Sequence, residues 1–453
     1  MGDESGPSLG GIAVVRPLAH PHDRQILRLA VPALGALAAE PLYVLADTAV
    51  VGRLGTPQLG GLAVASTLLL TGYVIFNFLA YGTTASVARR FGAGDEAGAA
   101  HEGVQGMWLA LAIGVVLAVG GLAAAPQAVG LMGATGAVAD HAVVYLRISL
   151  AGIPALLVSL AGTGYLRGRQ DTMTPLVVTG IAVTANLVLE LVLIYGFGYG
   201  IGASALATVV AQLAAAGAYV WWVARDTARL GASWRPDPAA IRRLAVVGRD
   251  LFVRTAALRL ALTVATAAAA RIGTVDLAAH QIAFEVWSLL ALVLDSLAIA
   301  GQAMVGRLLG AGDAPAARLA ARRMIEWGVG IGVVSGTAVL VVRPVLPGLF
   351  STDPDVVALC AFVLVFVAAL QPLNAVVFVL DGVLIGAGDL RFLAWAMAAA
   401  AATFVPAAVA VVILGWGIGW LWASLGLLMA TRAAALVWRF SGDAWAVEGA
   451  AQR

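Results

Sequence analysis

Long apolar stretches separated by short polar, glycine-rich turns run the length of the chain, and they predict twelve membrane-spanning helices. The spans fall at about 26–52, 58–88, 103–124, 140–165, 173–195, 203–223, 250–270, 276–305, 325–346, 357–384, 392–413 and 418–438. Residues 103–139, 191–224 and 392–431 contain no Asp, Glu, Lys or Arg. Each run is longer than the roughly 20 residues a bilayer crossing needs. The last is broken by Gly415-Trp416-Gly417-Ile418-Gly419, so it reads as two helices and a tight turn.

The pattern occurs twice. Arg53-Leu54-Gly55-Thr56 with Leu59 returns as Arg271-Ile272-Gly273-Thr274 with Leu277, at an offset of 271 − 53 = 218. The same offset relates Arg89 and Gly92-Ala93-Gly94-Asp95 to Arg307 and Gly310-Ala311-Gly312-Asp313, and Pro154, Gly168 and Asp171 to Pro372, Gly386 and Asp389. Six spans per copy is an even number, so both copies enter the membrane from the same side and the repeats are parallel. The expected fold class is an all-α polytopic membrane protein of two six-helix lobes, with the substrate path of a transporter between them. The N-lobe is placed at 26–224 and the C-lobe at 250–440. A linker (225–249) and tails (1–25 and 441–453, the second expected to be disordered) complete the chain.

Composition agrees with the pattern. Hydrophobic residues make up 61% and charged residues 11%, against roughly half and one-quarter in a soluble domain, and the mean hydropathy is +0.94. A soluble fold is excluded. The net charge of +2 hides a sorting by side, because all 27 basic residues are arginine. The N-terminal tail and alternate loops carry Arg16, Arg24 and Arg28, then Arg89 and Arg90, Arg167 and Arg169, a cluster from Arg225 to Arg249, and Arg307 to Arg323. The opposite loops hold only Arg53, Arg271 and Arg343. The positive-inside rule then puts both termini in the cytoplasm of a multi-pass protein of the cell membrane, inner or plasma. The basic loops face lipid headgroups and call for no nucleic-acid partner. The first 25 residues lack a signal-peptide core, so the first span is expected to be retained.

Other chemistry is thinly represented. Cys360 is the sole cysteine, so no intrachain disulfide can form and no cysteine-based metal site is suggested. There is no Gly-Lys-Ser/Thr phosphate loop, so nothing hydrolyses ATP and no cofactor or enzymatic activity is indicated. Energy comes from an ion gradient or from the substrate's own gradient. With both lobes in one chain, a monomer suffices. The glycines of Gly92-Ala93-Gly94-Asp95 and its copy are expected to end spans, with Asp95 and Asp313 capping the next helix. Trp221, Trp222, Trp416, Trp420 and Trp422 read as an interfacial belt, and His280 as a surface residue near an outer helix end.

A charge at mid-bilayer costs a few kcal/mol, so every intramembrane ionisable group is a functional candidate. The acids are Glu40, Asp47, Glu190, Glu285, Asp295 and Asp381, and the bases are Arg147, Arg254 and Arg259. The excess of acid suits binding of protons or cations. Glu40 and Asp47 are seven residues apart, on one helix face and about 10 Å apart along the axis, too far to share one proton. Pro41 between them removes the hydrogen bond to the Leu37 carbonyl and is a candidate hinge. Asn186 and Glu190 lie one turn apart on a common face of the fifth span. Should that face meet the Asp47 face, a buried carboxylate cluster forms in the first lobe. In the second lobe, Glu285 and Asp295 point in different directions on span 8. Asp381 follows Gln371, Pro372 and Asn374 in a polar stripe on span 10. Gln281, beside His280, and Asn374 complete the C-lobe candidates.

These residues carry a family resemblance. Glu40-Pro41-Leu42-Tyr43-Val44-Leu45-Ala46-Asp47 through Gly55 resembles the first-span motif of the multidrug and toxic compound extrusion (MATE) family, in its DinF-like branch. Leu166-Arg167-Gly168-Arg169-Gln170-Asp171-Thr172, Asn186 to Glu190, Ala279-His280-Gln281-Ile282, and Gln371-Pro372-Leu373-Asn374 through Asp381 to Gly386 are similar as well. The resemblance implies twelve helices in a V of two lobes and export of organic cations or related amphipaths in exchange for H⁺ or Na⁺. It places the family's proton-coupling aspartate on Asp47 and its fifth-span Asn/acid pair on Asn186 and Glu190, where the family usually has Asp in place of the glutamate. The family's Na⁺-type members carry a carboxylate on span 7, and none lies between Asp250 and Asp276 here, which favours H⁺. The expected function is a proton-coupled antiporter for amphipathic, cationic small molecules. An exporter of organic anions such as carboxylates, or a flippase for a lipid-linked precursor, is the alternative.

Overall fold

The computed structural model describes residues 21–450, so the expectations resting on Arg16 and most of the N-terminal tail lie outside the described residues. Twelve helices are long and apolar enough to cross a membrane, and no strand occurs among the described residues. The first six are α1 (Asp23–Gly52), α2 (Thr56–Gly92), α3 (Glu96–Leu131), α4 (Gly136–Gly168), α5 (Met173–Gly196) and α6 (Ile201–Leu230). The second six are α7 (Pro238–Ile272), α8 (Thr274–Gly310), α9 (Ala314–Val342), α10 (Pro354–Ala387), α11 (Leu390–Leu414) and α12 (Ile418–Ser441). Helices satisfy their backbone polar groups internally, the condition for a lipid-exposed segment. The chain folds as two six-helix lobes that form a V.

The helices overrun the apolar stretches at most ends. The linker expected at 225–249 shrinks to 231–237, because α6 continues to Leu230 and α7 starts at Pro238, with Asp237 accepting from the Ala239 N–H at 2.9 Å. The ninth helix also shifts, ending at Val342 rather than near 346. Two irregularities fall inside spans. A 3₁₀ turn at Val74–Asn77 interrupts α2, and α5 closes in a π-turn at Val192–Gly196. That π-turn absorbs one extra residue in the first lobe. Before it the two copies are 218 apart, and after it Ile201 opening α6 matches Ile418 opening α12 at 418 − 201 = 217. A single π-turn is the usual way a helix takes up one inserted residue, and such turns cluster at functional sites.

The Gly-Ala-Gly-Asp copies behave as the sequence suggests, and do one thing more. Gly94 and Gly312 both sit at φ +77°, while Asp95 and Asp313 accept from the N–H groups of Gly98 and Ala316 at 2.8 and 2.9 Å. Gly92 and Gly310 instead let the lobes touch. A Cβ on Gly92 would lie 1.9 Å from the Arg307 carbonyl oxygen, and one on Gly310 2.0 Å from that of Arg89. Asp23 on α1 adds a cross-lobe ion pair to Arg323 at 2.7 Å and accepts from Trp327 Nε1 at 2.8 Å. Arg307 reaches Gln170 Oε1 at 2.7 Å. The lobes are thus joined at the ends that carry the arginine-rich loops.

The C-terminal segment 441–450 is ordered, contrary to the expectation of a disordered tail. Trp445 is 1% exposed and stacks on Phe440. Glu448 accepts from the Ala314 N–H at 3.0 Å, and the Gly449 N–H donates to the Leu309 carbonyl at 2.9 Å. Arg89 of the first lobe, fully buried, donates to the carbonyls of Val447 and Gly449, each at 2.9 Å, and of Ala387 at 2.6 Å. Composition alone made this segment look like solvent-exposed chain. Its one large aromatic and its backbone carbonyls are what dock it.

Candidate functional site

A cavity of about 470 Å³ lies inside the first lobe, lined by α1, α2, α4, α5 and α6. Its wall is mostly apolar, with polar groups interspersed along it and the ionisable ones towards its ends. At one end α1 presents Glu40, Tyr43 and Asp47, α5 presents Asn186, and α6 presents Thr208. The spacing along α1 and α5 brings their polar faces together, as the one-turn and two-turn repeats require.

The carboxylate cluster expected in the first lobe is formed. Asp47 is 5% exposed and accepts from Ser204 Oγ at 2.6 Å. Asn186 donates to Thr208 Oγ1 at 3.3 Å, and Tyr43 and Thr208 share a hydroxyl–hydroxyl bond at 2.9 Å. Glu190 is 0% exposed and neither of its oxygens meets a donor. Asp47 and Ser204 are the polar groups beside it, and neither is hydrogen-bonded to it. Two ionised carboxylates cannot hydrogen-bond to each other, and the pair closes only when one of them carries a proton. No arginine belongs to this group: the one basic residue lining the cavity is Arg167, at the far end. Glu40 stands on the same wall, exposed and apart from the pair. Pro41 lies within one uninterrupted helix, α1, which also contains Pro32.

The second lobe treats its acids differently. Asp381 is 6% exposed and carries two guanidinium partners, Arg254 at 2.6 Å and Arg432 of α12. Asp295 belongs to the same cluster, with Arg167, Arg254 and Tyr81 as its neighbours. Glu285 stays apart, exposed, and accepts from Gln281 Nε2 at 3.1 Å one turn earlier. Asn374 is 1% exposed with no donor on its Oδ1, on α10 and outside the residues that line the first-lobe cavity. A small void of about 20 Å³ lies among these second-lobe helices, lined by Leu258, Trp287 and Leu425 among others. His280 corrects its expectation: it is fully buried, 3.4 Å from Thr266 Oγ1 and 5.6 Å between ring centroids from Trp422. Trp422, at 2% exposure, leaves the interfacial belt to Trp221, Trp416 and Trp420, which are 50–59% exposed.

Sequence reading missed two arginines and two hydroxyls. Arg432 sits mid-span in α12, where any charge is notable, yet it follows an uncharged run that ends at residue 431. Arg167 counted as a loop residue, but α4 extends to Gly168 and carries it inside, at 8% exposure. Ser204 and Thr208 are four apart on α6, a polar stripe in an apolar span that was available as a signal. No group of three or more His, Cys, Asp or Glu that could hold a metal occurs among the described residues.

The MatE family model matches residues 32–192 and 252–409, one match in each lobe. The chain belongs to the MATE family. Protein DETOXIFICATION 43 of Arabidopsis thaliana is 31% identical over 469 residues, covering 90% of this chain and 89% of that one. DNA damage-inducible protein F of Escherichia coli (strain K12) is 28% identical over 428 residues, 92% of each. Among solved structures, a MATE transporter in the bent conformation superposes with a TM-score of 0.84 at 21% identity, over 93% of this chain and 94% of that one. A MOP superfamily transporter from Pyrococcus furiosus gives 0.83 at 22% identity, over 92% and 96%. This MATE protein is therefore a multi-pass membrane transporter and not an enzyme. MATE transporters bind small molecules and run on ion gradients without a bound cofactor.

Proposed function

We propose that this MATE protein is a proton-coupled antiporter of the cell membrane that exports amphipathic organic cations, with both termini in the cytoplasm. The observation that carries this reading is the buried, neighbouring acids Asp47 and Glu190, which have no basic partner; Asp47 lines a mostly apolar cavity and Glu190 is fully buried beside it. Ionised, the pair offers negative charge to a bound cation. Protonated, it closes on itself through one shared hydrogen, and the attraction for the cation falls. A proton entering from outside therefore favours release, and its loss toward the cytoplasm restores the acidic site. Glu40 adds a further carboxylate to the same wall, and Pro41 beside it is the hinge about which α1 responds.

One H⁺ exchanged for one monovalent cation moves no net charge, so ΔpH alone drives the cycle. One pH unit corresponds to about 1.4 kcal/mol, enough for a roughly tenfold substrate gradient. Sodium coupling is the second reading, favoured by the carboxylate, amide and hydroxyl oxygens of Asp47, Asn186, Ser204 and Thr208, hard donors of the kind such a cation takes. The test is efflux of a fluorescent organic cation from proteoliposomes, first under ΔpH and then under a Na⁺ gradient. ΔpH-driven transport that disappears in Asp47→Asn is expected. Transport driven by Na⁺ alone, or an Asp47→Asn protein that still transports uphill under ΔpH, would refute proton coupling through this site.

A further inference from the structure

The far end of the first-lobe cavity has the opposite sign. Arg167 lines it, 8% exposed, and its Nε has no acceptor. Tyr81 and Tyr219 flank it on the same wall, with Asn77 close by along α2. Beyond Arg167 lies the junction between lobes, where five charges gather, Arg167, Asp381 and Arg432 buried and Arg254 and Asp295 half-buried. Arg254 and Arg432 both bind Asp381, and Asp295 is the other carboxylate in the neighbourhood of Arg167 and Arg254. Three guanidiniums face two carboxylates. An unbalanced buried charge is costly in a membrane protein, and a guanidinium's remaining donors are matched by a planar carboxylate. The junction is short by one anion, and the opening beside Arg167 is the cavity.

From this geometry we infer that the cavity floor is a subsite for an acidic group of the substrate, with Arg167 as its direct donor. The inference rests on the export reading above and changes its charge balance. A zwitterion carries no net charge, so its exchange for one H⁺ responds to the membrane potential as well as to ΔpH. The carried compound is an amphipathic zwitterion, with its cationic end toward Asp47 and Glu190 and its carboxylate on Arg167. Its apolar body lies against the mostly apolar wall between them. Along α4 the positions Ser149, Ile153, Leu156, Ser159 and Thr163 lead from the acidic end down to Arg167, one per turn, so the two subsites belong to one elongated cavity. A small organic anion without a cationic end would use half of this site. A simple organic cation would leave the guanidinium unanswered.

The test uses a matched pair of dyes, an aminoxanthene with a free carboxylate (a zwitterion) and the methyl ester of the same dye (a cation). Binding of each is measured by fluorescence polarisation on the full chain in detergent, where no gradient is needed, so a failure of proton coupling leaves the result readable. The wild type should prefer the zwitterion, and Arg167→Gln should erase about tenfold of that preference, the size of one charge-assisted hydrogen-bonded contact. Arg167→Lys, which keeps the charge, should restore part of it. If Arg167→Gln does not fold, competition in the wild type decides: decanoate should displace the zwitterion more readily than the ester. A wild type that prefers the ester or does not discriminate, or an Arg167→Gln protein with unchanged preference, overturns the inference.

Discussion

The two lobes come from one sequence, and one is hollow where the other is filled. At the common offset, Asp47 corresponds to Ala265, Asn186 to Phe404 and Glu190 to Ala408; past the π-turn, Ser204 corresponds to Leu421 and Thr208 to Leu425. Every polar member of the first-lobe cluster is thus apolar in the second. Ala265, Phe404, Ala408 and Leu421 are all at most 1% exposed, inside one packed core. Of the acids that the second lobe does keep, Asp381 is neutralised by two arginines, while Glu285 lies at the surface and accepts from a neighbouring amide. A duplicated membrane domain therefore separated its tasks. One copy holds unpaired acids around an open cavity, where charge can change. The other pairs its buried aspartate with arginines and packs.

This contrast sets the ranking of mutational effects. Asp47→Asn should abolish ΔpH-driven efflux while leaving the unfolding temperature unchanged or slightly higher, since it removes an unpaired buried acid. Asp381→Asn should do the reverse and destabilise by about 3–5 kcal/mol, because it strands two buried guanidiniums. A thermal melt in detergent beside a proteoliposome assay reads both. Equal losses of stability in the two variants would erase the distinction between the lobes.

Smaller effects are expected where the lobes touch. Gly92→Ala puts a methyl group against the Arg307 carbonyl. It should disfavour the joined arrangement by about 1–3 kcal/mol, the usual range for overpacking, and distances between spin labels on the two lobes should lengthen at the arginine-rich ends. A change of similar size at Gly94, where a Cβ meets nothing but φ is +77°, should act on the local turn and leave those distances alone. Trp445→Ala should release the C-terminal segment, lower the unfolding temperature by a few degrees, and expose 442–450 to protease. A resistant segment in that variant would mean that the backbone contacts to Arg89 hold it unaided.

How much of this was legible beforehand follows the same division. The twelve spans, the parallel duplication, the shared face of Glu40 and Asp47 and that of Asn186 and Glu190 follow from period and spacing, because a helix places residues three, four and seven apart on one face. Pairing between distant spans does not follow from spacing. Arg432 on Asp381, Arg167 in the cavity and the burial of His280 against Trp422 each depend on which helix faces which. The docked tail was hidden for a different reason. Its contacts run through backbone carbonyls, which composition does not reveal, and through an arginine in the other lobe more than 300 positions away, Arg89. The roles of Gly92 and Gly310 were half visible. As helix-ending glycines they look like Gly94 and Gly312, but what they supply is room for a crossing backbone.

The central claim is that the first-lobe acid pair trades a proton for a cation, and proton counting on binding tests it most directly. Calorimetric titration of an organic cation into the detergent-solubilised protein, repeated in buffers of different ionisation enthalpy, gives the number of protons released. The account predicts about one proton per cation bound near neutral pH, affinity that rises with pH, and loss of both in Asp47→Asn, as linkage requires. Tight cation binding with no proton release and no dependence on pH would contradict it.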